Sequence, residues 1–417
     1  SRLYTILLKD KGFDDVFPIG RVQSPTVYLV YERMKEIERF VSRAFFELHA
    51  KFEATSGHYE GKVKGRWEAR EQLVQELLHR GMTEREIGTI QNVQKKEKRQ
   101  LPPLLHSLST LQATANRKWK MSPNTVLQLA QKLYERKLIS YPRTDTRVIT
   151  NAEFAYVKER VPRYQELLSL EFPIATSRAQ KRYVNDARVK EHYAIIPTKQ
   201  VPRKSTLERM NRQERLIYEE IVRTTLGMFH RPYLYEETTI ETDVRGFIFH
   251  SKGVRPLDEG WKMLFPQKKE TKQHVLPSVV KGDRVEASPF IHEGKTEPPK
   301  PYTEGQLITL MKTCGATVDD EAEVELLKEI EGIGTEATRS SIIETIKRHA
   351  YIDVKKNIVS LTPKGRLLCE ALEGTLLASP SMTAKWEKYL KKIGEGTGTS
   401  EKFLRSMEKF LHHLITT

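Results

Sequence analysis

Apolar positions along this chain change period several times, and each change marks a new element. After Gly20-Arg21-Val22-Gln23-Ser24-Pro25, the residues Val27, Val30, Tyr31, Met34 and Ile37 form one helical face. Ser24 suits the N-cap of that helix and Pro25 its first turn. From Phe46 to Ala54 the period drops to two. Phe46, Leu48, Ala50, Phe52 and Ala54 face one way and Glu47, His49, Lys51 and Glu53 the other, which predicts a half-buried strand. Gly57, Gly61 and Gly65 punctuate a β-rich stretch, interrupted by a short helix over Arg70 to Arg80. The charged run Lys95-Lys96-Glu97-Lys98-Arg99, followed by Pro102-Pro103, reads as a connector.

A helical block comes next. Ser109 can cap a helix running to Trp119, Lys120-Met121 turns the chain, and Ser122-Pro123 opens a second helix. That helix turns Val126, Leu129, Ala130, Leu133 and Leu138 inward. Helix, tight turn, helix and an extended piece is a winged-helix layout, with the stretch at Tyr141 as its first strand or wing. Asn151 to Leu170 and Leu207 to Met228 are helical in pattern, and Arg178 to Lys190 is basic. Strands return over Tyr233 to Val244, at Phe247 and Phe249, and at Val285 and Ala287, with turns at Gly246 and Gly253. The β module is therefore split around the helical block, and Gly294 to Pro301 forms a second connector.

Beyond it, Thr303 to Lys312 and Asp319 to Ile330 are helical, the latter acidic. Glu321, Glu323 and Glu325 alternate, so on a helix they point to different faces and make a poor metal site. Gly332-Ile333-Gly334-Thr335 turns into a helix carrying Thr338 and Arg339, a phosphate-binding arrangement. A hairpin around Lys355-Lys356-Asn357 and a helix from Thr362-Pro363 complete a second helix–helix–wing layout.

The chain has 417 residues, enough for two to four domains. Lys and Arg total 70 against 55 Asp and Glu, a net charge of +15 spread along the sequence, which favours a polyanionic partner such as nucleic acid. No apolar run approaches the ~20 residues that span a bilayer, and the start lacks a signal-peptide pattern. Cys314 and Cys369 cannot make a four-cysteine zinc site. A reducing, cytoplasmic setting is expected.

Candidate chemistry gathers at Ser140-Tyr141-Pro142-Arg143-Thr144-Asp145-Thr146-Arg147. Pro142 biases Tyr141 to an extended backbone, where residues two apart share a side. Tyr141 and Arg143 would then face one target, a hydroxyl beside a cation able to grip a phosphate. Gly20-Arg21 at a helix start makes another phosphate site. Taken alone, each of these has an ordinary structural explanation.

Together they resemble a family. Gly20-Arg21-Val22-Gln23-Ser24-Pro25-Thr26, Leu101-Pro102-Pro103-Leu104, Ile139-Ser140-Tyr141-Pro142-Arg143-Thr144-Asp145, His192-x-Ala194-Ile195-Ile196-Pro197-Thr198 and Gly332-Ile333-Gly334-Thr335-x-Ala337-Thr338-Arg339 look like the type IA DNA topoisomerases, in that family's order. The proline after the tyrosine and the Ala-Ile-Ile-Pro-Thr ending are closer to the topoisomerase III branch. The resemblance implies that Tyr141 attacks a phosphodiester of single-stranded DNA, with Arg143 and His192 at the scissile phosphate. It implies DNA contacts from Arg21, Gln23, Arg147, Arg188, Thr338 and Arg339. Relaxation or decatenation by an ATP-independent isomerase is the implied activity.

The implied fold is a multidomain α+β toroid, in which two winged-helix-like helical domains are joined by a split β-rich arch. The expected domains are 1–43 with 300–417, 44–100 with 228–299, and 101–227, which carries the tyrosine. Family members also begin with a TOPRIM domain that binds Mg2+. That pattern does not precede Arg21, so the resemblance implies a TOPRIM-lacking piece with no metal ligands of its own, a DNA-binding monomer that is catalytically incomplete alone. A non-enzymatic winged-helix DNA-binding protein is the alternative. Tyrosine recombinases and type IB enzymes require a His-x-x-Arg pattern that this chain lacks.

Overall fold

A computed structural model describes residues 5–6, 8–9, 13–266, 275–313, 332–378, 386, 389–390 and 392–416. In chain order its main elements are α1 (Gln23–Glu38), β1 (Ala44–Ala54), β2 (Gly57–Val63), α2 (Arg70–His79), β3 (Glu86–Gln100), α3 (Leu108–Trp119), α4 (Pro123–Glu135) and α5 (Asn151–Leu168). Then come α6 (Lys204–Glu208), α7 (Arg212–Leu226), β4 (Tyr233–Val244), β5 (Phe247–Asp258), β6 (Arg284–Lys295), α8 (Glu304–Lys312) and α9 (Arg339–Arg348). The hairpin β7 (Ile352–Lys355) and β8 (Ile358–Leu361), α10 (Pro363–Leu372) and α11 (Ser400–Thr416) complete the set. The acidic stretch Asp319–Ile330, with Glu321, Glu323 and Glu325, lies outside the described residues, as does Cys314. Cys369 is buried and unpaired.

Strands from the two separated β segments close into one antiparallel barrel in the order β1-β2-β5-β4-β3-β6, with β6 returning to β1. Period-two alternation turns Leu48, Ala50 and Phe52 of β1 into its core, where they meet Ile90, Ile240, Phe249 and Ala287. Closure leaves no open sheet edge at the barrel. The charged run at Lys95–Arg99 is not a connector but the far half of β3, paired residue by residue with β4. Cross-strand ion pairs keep it extended: Lys98 and, from β5, Lys252 both hold Glu237, each at 2.7 Å. They draw the Glu237 carboxyl down to about 2. Gly253 lies inside β5, whereas the turn before β5 is made by Arg245 and Gly246, both at positive φ.

Two helical cores accompany the barrel. One is built by residues from Leu105 to Phe229 with Leu264, and includes Val126, Ala130 and Leu133 of α4 and Ile217 and Ile221 of α7. The other joins both ends of the sequence, packing Val27, Val30 and Tyr31 of α1 against Leu307, Ile343, Tyr351 and Leu368. Helix starts differ from the sequence reading at three places. Ser24 falls inside α1, and its Oγ accepts from Gly20 N at 3.2 Å, closing the preceding loop. Ser107, not Ser109, caps α3 through a capping box with Thr110. The helix expected over Leu207–Met228 breaks at Asn211, whose side chain caps α7.

The two helical cores meet where α3 lies against α8. A Cβ at Gly305 would sit 2.7 Å from Asn116 Oδ1, so only glycine permits that approach. Asn116 and Asn357 exchange amide hydrogen bonds across the same contact, at 2.7 and 3.1 Å. No helix among the described residues is long and apolar enough to cross a membrane.

Candidate functional site

Tyr141 stands just beyond α4. The helix ends at Glu135, Lys137 turns the chain at φ +59°, and Leu138 N closes back on Leu133 O. The tyrosine segment itself is not a strand. Ile139 forms an isolated bridge with Pro197, and the chain then runs irregularly to a second bridge at Ile149. Hydrogen bonds to the segment 192–198 hold it instead. Ser140 N donates to Ile196 O at 2.8 Å, Ser140 Oγ donates to Ala194 O at 2.9 Å and accepts from Ile196 N at 2.9 Å. Ala194 N reaches Val148 O, and Thr144 Oγ1 donates to His192 O at 3.4 Å.

This lacing brings together two residues that the sequence separates widely. The ring centroids of Tyr141 and His192 are 4.4 Å apart, tilted by 42°. Tyr134, near the end of α4, also meets the phenol, edge-on at 5.4 Å. Tyr141 is half-buried, while Arg143 and His192 are exposed. Nearby phenols serve the scaffold: Tyr156 and Tyr164 donate to Pro197 O and Thr198 O, and burial pushes both pKa values well up. Among the described residues none hydrogen-bonds the Tyr141 hydroxyl.

Beneath the site His106 is buried, its carbonyl accepting from Ile195 N and its ring between Thr110 and Thr224. Burial pushes the imidazole pKa down against the pull of nearby Glu220, so it is a neutral spacer at physiological pH. Arg147 is tied to the same segment, its Nε donating to Leu105 O at 3.0 Å.

The N-terminus of α3 connects this site to the glycine loop. Leu108 N donates to Thr144 O, and the next residue, Ser109, donates its N–H to Glu336 Oε2 at 2.7 Å. Glu336 also holds Lys312 at 2.8 Å and Arg339 at 3.1 Å. Burial raises its carboxyl, but those two cations outweigh it and leave the pKa lowered. Arg339, expected to contact DNA, lies inside the glycine loop. The residue is 5% exposed, and its guanidinium donates to Ile333 O, Gly334 O and Ser109 Oγ, so it organises the loop from inside. Thr338, the N-cap of α9, stays exposed and accepts from Thr335 N.

Two glycines are required in that loop. A Cβ at Gly332 would strike Lys312 O at 2.5 Å, and Gly334 has φ +70°. Gly334 also comes within 3.4 Å of Val22 Cγ1, measured from where its Cβ would be, so the Arg21-Val22-Gln23 motif and the glycine loop adjoin. Arg21 is exposed and Gln23 half-buried. Arg188 is exposed in a short turn on the segment that Val184 joins to Ile149. Sequence reasoning missed Ser140, Thr144, His106, Ser109 and Glu336 because their roles lie in long-range hydrogen bonds. The polar Ser-Thr cluster around the tyrosine was the available signal for the first two.

A family model described as DNA topoisomerase matches residues 1–405, and the chain belongs to that family. Curated relatives named DNA topoisomerase 3 refine this to the type IA enzymes and their topoisomerase III branch. The protein of that name from Vibrio cholerae is 32% identical over 436 residues, covering 100% of this chain and 67% of its own length. The one from Haemophilus influenzae is 31% identical with the same coverage. The solved structure of full-length topoisomerase I from Thermotoga maritima shares the fold, with TM-score 0.71 and 24% identity over 96% of this chain and 64% of that one. The chain thus spans about two thirds of these proteins.

Proposed function

We propose that this chain carries the strand-cleaving tyrosine of a type IA topoisomerase and the surfaces that lead single-stranded DNA to it. The Tyr141 oxygen attacks phosphorus as the phenol releases its proton. The P–O3′ bond breaks, the 3′ oxygen takes up a proton, and the DNA is held as a 5′-phosphotyrosine. Attack by the 3′ hydroxyl reverses each step, so resealing requires no ATP. Arg143 and His192 hold the scissile phosphate and stabilise charge as it builds. Arg21, Gln23, Arg147, Arg188 and Thr338 guide the strand, and Arg339 shapes the loop behind Thr338. The observation that carries this reading is the approach of His192 to Tyr141, 4.4 Å between rings.

The same reading assigns three domains, 1–43 with 300–417, 44–100 with 228–299, and 101–227, enclosing a passage for duplex DNA. The three separate cores support that division, although Met228, Phe229 and Leu264 pack with the 101–227 core. Winged-helix character is supported for the hairpin β7–β8 after α9 and less so near Tyr141, where bridges replace strands. The family's Mg2+ does not fit the described residues, which include no group of three or more His, Cys, Asp or Glu able to hold a metal ion. No step is therefore assigned to the ion in this chain, and a TOPRIM module beyond these residues is its proposed holder. Alone, as a monomer, the chain binds DNA and relaxes it poorly.

Relaxation of negatively supercoiled plasmid in Mg2+, by the chain alone and joined to a TOPRIM module, tests the proposal. Relaxation that appears with the module and vanishes in Tyr141→Phe is expected. Robust relaxation surviving Tyr141→Phe overturns it.

A further inference from the structure

A basic groove lies on the outer face of the barrel, among residues that take no part in the Tyr141 site. Alternation along β1 puts Leu48 and Ala50 inside and Glu47, His49 and Lys51 on the polar side. One cross-strand row on that side runs Phe290, His49, Lys62, His250 over β6, β1, β2 and β5. Beside it, a cavity of about 570 Å3 is lined by Glu47, Lys62, Lys64, Arg66 and His250.

The groove is organised around one carboxylate. Glu47 is 6% exposed and accepts from Lys62 at 3.0 Å, Arg66 at 3.1 Å and the His49 ring at 3.1 Å. It fixes two cations whose side chains remain about half in water, while Lys64 is exposed beside them. One aromatic face borders Arg66, and two further rings gather around His49. Arg66 lies 4.0 Å over the Phe45 ring, and the His49 ring neighbours Phe290 at 5.6 Å and His292 at 5.0 Å. Phe290 is 37% exposed, so part of its ring face is open to a ligand.

We propose that this groove binds a segment of single-stranded nucleic acid, with phosphates on Lys62, Lys64 and Arg66 and bases stacked on Phe290 and His292. Three cations against buried Glu47 and against Glu241, which pairs with His250 at 3.5 Å, leave the groove a smaller positive excess that still complements a phosphate backbone. Exposed rings beside a cationic track are what unpaired bases can use and what a duplex, its bases already stacked, cannot. A small anion would satisfy the cations and leave the rings without purpose. The proposal goes beyond the function above and does not rest on it, because the groove would bind a strand whether or not Tyr141 cleaves one.

Lysine-reactivity footprinting of the intact chain, with saturating oligothymidylate, tests this directly. Lys62 and Lys64 are expected to become protected, and Lys281, on the Gly282 turn, to remain reactive. Lys64→Glu leaves the Glu47 contacts in place and is expected to weaken oligothymidylate binding about 3–10-fold and to lower the salt slope by about one. Phe290→Ala is expected to weaken single strands about tenfold and duplex hardly at all. Unprotected lysines at saturation overturn the proposal. So does an unchanged midpoint of Lys62 and Lys64 protection by oligothymidylate in Phe290→Ala, which would leave a site for polyanions of any kind. Should Lys64→Glu fail to fold, the footprint and Phe290→Ala still decide.

Discussion

The Tyr141 and His192 rings approach to 4.4 Å because Ser140 and Thr144 tie their two segments together on either side of the phenol. His192 is exposed, so its imidazole contributes little to the core and is available to a phosphate bound at Tyr141. Replacing His192 by Ala should leave the melting temperature nearly unchanged. With the metal-binding module supplied, trapping of a labelled oligonucleotide on Tyr141 should slow about 10²–10³-fold, as for loss of one charge-stabilising donor. Tyr141→Phe should give no adduct at all while binding the oligonucleotide within about twofold of wild type. An adduct persisting in Tyr141→Phe would place the nucleophile elsewhere.

Ser140 provides a separate measure of how the phenol is positioned. Its hydroxyl is buried and both donates and accepts, so Ser140→Ala leaves Ile196 N–H and Ala194 O short of a partner. That should cost about 1–3 kcal/mol in urea unfolding. Adduct formation should slow by more than stability alone explains, because Tyr141 is the next residue. Ser140→Thr keeps the hydroxyl and should recover part of the rate if the methyl fits. A destabilised variant with a wild-type rate would show that the stitch does not position the phenol.

Arg339 separates a loop organiser from a DNA contact. Removing it leaves Glu336 buried with one cation fewer and Gly334 O and Ile333 O without their donor. Arg339→Ala should cost about 3–5 kcal/mol, the usual penalty for breaking a buried ion pair. Arg339→Lys should restore little, since one ammonium cannot span the carbonyls and the carboxylate that the planar guanidinium reaches. Thr338→Ala, at the exposed cap, should weaken DNA binding with a small effect on stability. Arg339→Ala with near-native stability and lost DNA affinity would reverse these two roles.

The helical faces of α1, α4 and α7 and the alternation in β1 were legible because burial imposes a period, and Val30, Leu133, Ile221 and Leu48 obey it. The split β module was legible for the same reason. Barrel closure was not, because the pairing of β6 with β1 joins strands from distant parts of the sequence. Lys95–Arg99 misled because local charge suggests solvent, while its cross-strand partners Glu237 and Leu234 lie far along the chain. At the site, Tyr141 stood out beside Arg143 by residue type and spacing, whereas His192 stood out only through the family resemblance. Arg339 stood out equally and faced inward, since sequence does not say which side of a turn a side chain takes. The connection through Leu108, Ser109 and Glu336 depends on tertiary packing that no local pattern encodes.

Glu47 gives the barrel a pH dependence whose sign can be worked out. Burial pushes its carboxyl up, but hydrogen bonds from His49, Lys62 and Arg66 outweigh this and hold it at about 2, below the ordinary 4.5. A depressed carboxyl stabilises the fold fully above the unfolded value and loses that contribution as pH falls towards the folded one. The window is therefore pH 4.5 down to 2. Lys62 and Arg66 are half in water, so solvent screens part of the attraction, and the contribution at neutral pH should be about 1–3 kcal/mol. Glu47→Gln should lower barrel stability by that amount at pH 7, and the gap from wild type should shrink progressively below pH 4.5. Urea unfolding at about pH 7, 4 and 3 reads this directly. A gap that stays constant over the range would mean the loss comes from packing at Glu47 and not from its charge.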